Sequence, residues 1–216
     1  MTDEIQQLFE ETKIAFENAP IKKYAEQNNL HWSYSICSTK LQQNCNLLIG
    51  FNWGAAKDFK YLAQSEIPGD TFKQLYDKKE LGSFQRLYDP LNEYLKNGDV
   101  DNFSQTNFCF FRSATEAQIT KDDLKLSTPL FEKLIQIIAP KKIIGFSSTL
   151  RNYFLDNNLC TSLQQKSIIF NNKTLLVCKG TYKIKETETP IYFLPHPNAQ
   201  LTSEARKEAW EFCFSQ

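Results

Sequence analysis

Two side-chain amides and one imidazole stand where apolar runs of this chain end. Residues 46–49 lead into Gly50-Phe51-Asn52-Trp53-Gly54. Residues 106–111 are rich in β-favouring types and carry Asn107. Residues 191–194 lead into Pro195-His196-Pro197-Asn198, and His196 is one of only two histidines. An asparagine presents a carbonyl and an NH2 side by side, a match for the edge of a heterocycle. A neutral histidine, or a set of backbone N–H groups, stabilises an oxyanion. Glycines at 50 and 54 let backbone N–H groups come close to a bound group. The set suits chemistry in which a planar heterocycle is gripped and takes up negative charge. Other signatures are missing: the sequence has no Gly-x-Gly-x-x-Gly, no Gly-Lys-Ser/Thr phosphate loop, no Gly-x-Ser-x-Gly and no His-Glu-x-x-His. That weighs against dinucleotide enzymes, P-loop NTPases, common serine hydrolases and metalloproteases.

The elements that must hold these residues alternate between apolar runs and helical patterns. Residues 3–18 carry Ile5, Leu8, Phe9, Ile14 and Phe16 at roughly helical spacing, and a second short helix is expected after Pro20. A strand over about 46–51 follows. Asp70 is expected to cap a helix from Thr71, and 81–96 is expected to be helical. The strand over 102–112 precedes a long helix opened by Thr120 and stopped by Pro140. A strand over 141–146 leads into a helix begun at Ser147-Ser148-Thr149. Phe170-Asn171-Asn172-Lys173 reads as a hairpin turn between short strands, and a last helix runs from Ser203 to about Phe214. Strands alternating with helices predict an α/β fold: three layers, α/β/α, around a central, mostly parallel four-stranded sheet. One domain over 1–216 is expected, with 1–44 a helical segment packing on the core.

Length and composition bound the rest. The chain has 216 residues, 41% hydrophobic and 13% aromatic, with 17 Phe, enough for a substantial core. Lys+Arg and Asp+Glu both number 25, so any surface that attracts nucleic acid must be local. The six cysteines form no Cys-x-x-Cys and have no histidines at zinc spacing, so no metal site is expected. No signal peptide and no apolar run near ~20 residues is visible, which predicts a cytoplasmic chain with no membrane partner.

In these motifs and their order the chain resembles the uracil-DNA glycosylase superfamily, over roughly residues 45–212. The family's first motif is a strand followed by Gly-x-Asp/Asn-Pro-Gly, here Gly50-Phe51-Asn52-Trp53-Gly54. A middle strand with a base-reading asparagine corresponds to 106–112. The helix ending at Ile138-Ala139-Pro140, followed by Lys141-Lys142-Ile143-Ile144-Gly145-Phe146, is similar too. The second motif, His-Pro-Ser, corresponds to His196-Pro197-Asn198.

The resemblance implies a base-flipping N-glycosylase acting on uracil or a related deaminated base in DNA. Asn52 would position or weakly activate the water. His196 would hydrogen-bond the uracil O2 and stabilise the departing anion. Asn107 would face N3–H and O4 and reject cytosine by mismatch. Phe72 would stack on the flipped base, with Phe59 and Tyr61 behind it, and Gly50 and Gly54 would line the base pocket. Leu201 would wedge into the duplex beside Asn198, with Arg206 and Lys207 near phosphates. Ser147 and Ser148, at a helix start, are further phosphate candidates. No metal, iron–sulfur cluster or other cofactor is implied, and a monomer is expected. Two positions depart from the pattern: Trp53 replaces a proline and must line or block the pocket, and Asn198 replaces a serine. They keep open a non-catalytic nucleic-acid-binding protein, or a nucleobase- or nucleoside-binding enzyme, on the same fold.

Overall fold

The computed structural model describes residues 2–95, 102–184 and 187–214. Two helices come first, α1 (Thr2–Glu17) and α2 (Pro20–Gln27), the latter with proline at its first position, where a missing N–H costs nothing. Then come β1 (Asn46–Gly54), α3 (Phe72–Asp77), a 3-10 turn over Gly82–Leu87, α4 (Tyr88–Tyr94) and β2 (Phe103–Ser113). A further 3-10 turn (Glu116–Gln118) precedes α5 (Lys121–Ile138), β3 (Lys142–Gly145) and α6 (Ser148–Asp156). The chain closes with β4 (Cys160–Phe170), β5 (Lys173–Ile184), β6 (Thr187–Phe193) and α7 (Ser203–Phe214).

All six strands join one mixed sheet in the order β2-β1-β3-β6-β5-β4. This corrects the expected four strands. The parallel part is β2-β1-β3-β6, in which β1 pairs with β2 and β3, and β3 pairs with β6. The hairpin β4–β5 adds to β6 in antiparallel fashion. Its turn residues Asn171 and Asn172 both take positive φ, 45° and 59°, as a two-residue hairpin requires. The strands it joins are 11 and 12 residues long, not short.

β1 alternates between two apolar clusters. Leu47 and Ile49 belong to the cluster that holds Leu8, Phe131, Leu134 and Phe154, from α1, α5 and α6. Leu48 belongs to the one that holds Phe72, Leu91 and Trp210, from α3, α4 and α7. The strand is thus buried on both faces, as its continuous apolar run requires. Residues 33–38 lie along the outer edge of β2, where Tyr34 bridges to Phe111 and Cys37 to Thr106.

Two local expectations change. Thr71, not Asp70, caps α3: its side chain accepts from Gln74 N, and the Gln74 side chain returns to the Thr71 N–H. Asp70 instead meets Lys78 at 2.8 Å. The helix expected over 81–96 is a 3-10 turn that passes into α4; residue 96 lies outside the described residues.

Because β1, β2, β3 and β6 run the same way, their carboxyl ends share one edge of the sheet, where open α/β sheets bind ligands.

Candidate functional site

Asn107 is 6% exposed, and among the described residues its side-chain amide has no hydrogen-bond partner; only its backbone carbonyl accepts, from Thr106 Oγ1. The residue is buried but its amide tip keeps contact with solvent, so Oδ1 and Nδ2 stand open to a ligand. Gly50 is its register partner on β1. A Cβ on Gly50 would lie 2.3 Å from Asn107 Oδ1, so the amide occupies space that only glycine leaves open.

Asn52 stands two residues further along β1, next to a register shift between Asn52 and Trp53. Such bulges re-aim side chains and gather beside active sites. Asn52 Nδ2 donates to Ser113 Oγ at 2.7 Å and to the Trp53 carbonyl at 3.0 Å. That spends the donors and leaves Oδ1 as an acceptor. Ser113 Oγ in turn donates to the Thr115 carbonyl at 2.7 Å, linking the end of β1 to the loop after β2.

His196 follows β6, in a turn closed by Ala199 N donating to the His196 carbonyl at 2.8 Å. Its Nδ1 accepts from Asn198 N at 3.2 Å. The neutral ring therefore carries its proton on Nε2, a donor free to meet a ligand. The ring reaches solvent, yet the chain around it desolvates it enough to hold its pKa below the ordinary histidine value, while the negative charge of Glu116 pulls the other way. Burial wins, and the neutral form is favoured.

Glu116 was not singled out in the sequence. It starts the short turn after β2 and accepts from Ser147 Oγ at 2.9 Å. It thus joins the loops after β2 and β3 and acts electrostatically on the loop after β6. Its position just past a strand's carboxyl end was the available signal.

The other expected residues divide. Phe72 is fully buried, 5.7 Å from the Phe103 ring, and Phe103 pairs with Asn46 at the opposite end of the strands. Four residues separate Phe103 from Asn107, roughly 13 Å, so Phe72 has no exposed face for a base. Phe59 and Tyr61 lie in the loop beyond β1, with ring centroids 4.7 Å apart; Phe59 is exposed and Tyr61 lies under the Arg112 guanidinium at 4.5 Å. Trp53 is buried, its Nε1 donating to the Ser35 carbonyl, so its indole is held toward the N-terminal segment. Arg112 spans the same corner, donating to the Gly54 carbonyl at 3.0 Å and to Ser35 Oγ at 2.8 Å. Ser147 caps α6 through Leu150 N, and its contact with the Glu116 carboxylate makes it a poor phosphate ligand. Ser148 and Asn198 are exposed, and Leu201 is half-buried. Arg206 is half-buried on α7, while Lys207 is exposed and ion-paired with Glu211 at 3.7 Å.

No family model matches the chain, and no curated protein matches it either. Among the described residues, no helix is long and apolar enough to cross a membrane. Among them too, no group of three or more His, Cys, Asp or Glu side chains is placed to hold a metal ion.

Proposed function

We propose that this protein is a monofunctional DNA glycosylase that hydrolyses the N-glycosidic bond of uracil or a related deaminated base, taken out of the strand. The observation that carries the reading is the unpartnered Asn107 amide, open at its tip in an otherwise buried residue opposite Gly50. Its acceptor and donor match the N3–H and O4 of uracil, and they oppose the N3 and N4 amino group of cytosine. The reading takes the chain as one cytoplasmic, monomeric domain whose three layers centre on the four parallel strands, with no cofactor.

Asn52 and His196 complete the chemistry. Breaking the C1′–N1 bond leaves its electron pair on the base, and charge gathers at O2. The His196 Nε2–H donates to that oxygen. A neutral ring serves as a donor that keeps its proton. A water held at Asn52 Oδ1 then forms the new bond to C1′ and loses a proton to solvent, while the base anion takes one up at N1, leaving an abasic sugar and a free base. An amide is a weak base, so bond cleavage runs ahead of water attack.

Incubation with uracil-containing single-stranded and duplex oligonucleotides, followed by alkali, tests the reading. Strand breaks at uracil and none at cytosine are expected. Removing a donor of this kind typically costs ~2.7–4 kcal/mol, so His196→Ala is expected to be about 100- to 1000-fold slower at matched folding. Binding without breaks would favour the non-catalytic alternative.

A further inference from the structure

Beside the His196 turn lies a cavity of about 320 Å3 lined by Arg86, Leu87, Pro90, Pro197, Arg206 and Trp210. Two of these six residues are arginines and none is acidic. Arg86 is exposed and, among the described residues, makes no hydrogen bond or ion pair. Arg206 comes from α7. Its Nη2 donates to the Ala199 carbonyl at 2.9 Å, which ties the guanidinium to the turn carrying His196 and leaves Nε and Nη1 open. Burial, and then the like charge of Arg86, pull Arg206 below the ordinary arginine range, so the two guanidinium groups repel across the cavity. Like charges gathered without a counter-charge form a site that an anion relieves, and arginine forks match phosphate oxygens. The remaining walls are apolar, suited to the sugar or base face of a nucleotide.

We propose that the cavity is a phosphate subsite, in which Arg86 and Arg206 grip one backbone phosphate of a nucleic-acid strand. This rests on the proposed function: Pro197, in the cavity wall, directly follows His196, so a phosphate held here anchors the strand next to the seated base. It supplies a local basic surface on a chain of zero formal charge.

The test uses a fluorescent single-stranded oligothymidylate, which contains no uracil, titrated against the full chain over a series of salt concentrations. Arg86→Gln removes a charge that has no partner to lose, so folding is not at stake; Arg206→Gln is the second variant. Each is expected to bind about 10- to 100-fold more weakly, as loss of a hydrogen bond to a charged group implies. Each is also expected to lower the magnitude of the log–log salt slope by about 0.7, the value of one phosphate on a single strand. Lys13→Gln, on the exposed face of α1, is expected to keep the native slope. No strand binding by the native protein, or Arg86→Gln with native affinity and slope, overturns the proposal. Arginine-dependent binding of inorganic phosphate without strand binding overturns it too, because the cavity then takes free phosphate. Arginine-dependent strand binding without uracil excision upholds the subsite and sinks the glycosylase reading; excision with neutral arginine variants does the reverse.

Discussion

A single methyl group at Gly50 tests the residue-scale account. In Gly50→Ala the new carbon falls 2.3 Å from Asn107 Oδ1, so the amide must turn away. The change is expected to lower uracil excision about 5- to 100-fold, the loss of one or two neutral hydrogen bonds. The thermal midpoint is expected to move by only a few degrees, because the displaced group is a side chain and not backbone. Native excision by this variant would show that the Asn107 orientation is irrelevant. The second residue-scale prediction concerns protons. Burial lowers the His196 pKa and Glu116 raises it, so an NMR titration is expected to give a midpoint below 6.5. Glu116→Gln removes the raising charge and is expected to move it lower still. Excision needs the neutral ring, so it is expected to fall as pH drops through that midpoint and to hold above it. A midpoint unchanged by Glu116→Gln would separate the two groups. Asn52, Asn107 and His196 were legible because each ends or borders an apolar run. Glu116 was not: it stands 31 residues from Ser147 and 80 from His196, and nothing local in the sequence joins them. Phe72 misled because an aromatic at a helix start reads the same whether it faces a ligand or the core.

Helix termini carry the element-scale argument. Asp123 is fully buried near the start of α5, where Oδ2 accepts from Thr120 N at 2.8 Å and Thr120 Oγ1 at 2.7 Å. Its Oδ1 accepts from Ile21 N at 2.9 Å, across 102 residues, tying α2 to α5. Thr120→Ala is expected to cost ~1 kcal/mol, as loss of a cap does. Asp123→Ala strands the Ile21 N–H as well and is expected to cost more, roughly 1.5–3 kcal/mol. Denaturant midpoints at unchanged slope would measure both; equal losses would contradict the tie to α2. The Thr120 start, the Pro140 stop and the Asn171-Asn172 turn were all readable, since each is local chemistry. The joining of β4 and β5 to β6 was not. β4 exposes most of its residues, so no buried stripe announces a sheet partner. The parallel strands were easier, because burial on both faces leaves an unbroken apolar run.

At the scale of the whole molecule, one edge of one sheet gathers loops from four strands. The Asn52–Ser113 and Ser147–Glu116 hydrogen bonds stitch three of them together, and the Glu116 charge reaches the fourth. The six thiols stand apart from that edge chemically: burial pushes Cys37, Cys109, Cys160 and Cys213 up to about 12 and Cys178 to about 11, and it raises Cys45 as well, so none is a ready nucleophile. Balanced net charge gave no hint of a polyanion partner, and only the folded chain brings Arg86 and Arg206, 120 positions apart, to one cavity. The measurement that bears most directly on the central claim is release of free uracil from a uracil-containing oligonucleotide, followed in parallel for the native protein and Asn107→Leu. The account predicts free base and an abasic strand in equal amounts from the native protein, and little of either from the variant. No free base from the native protein, on single strand or duplex, would contradict it.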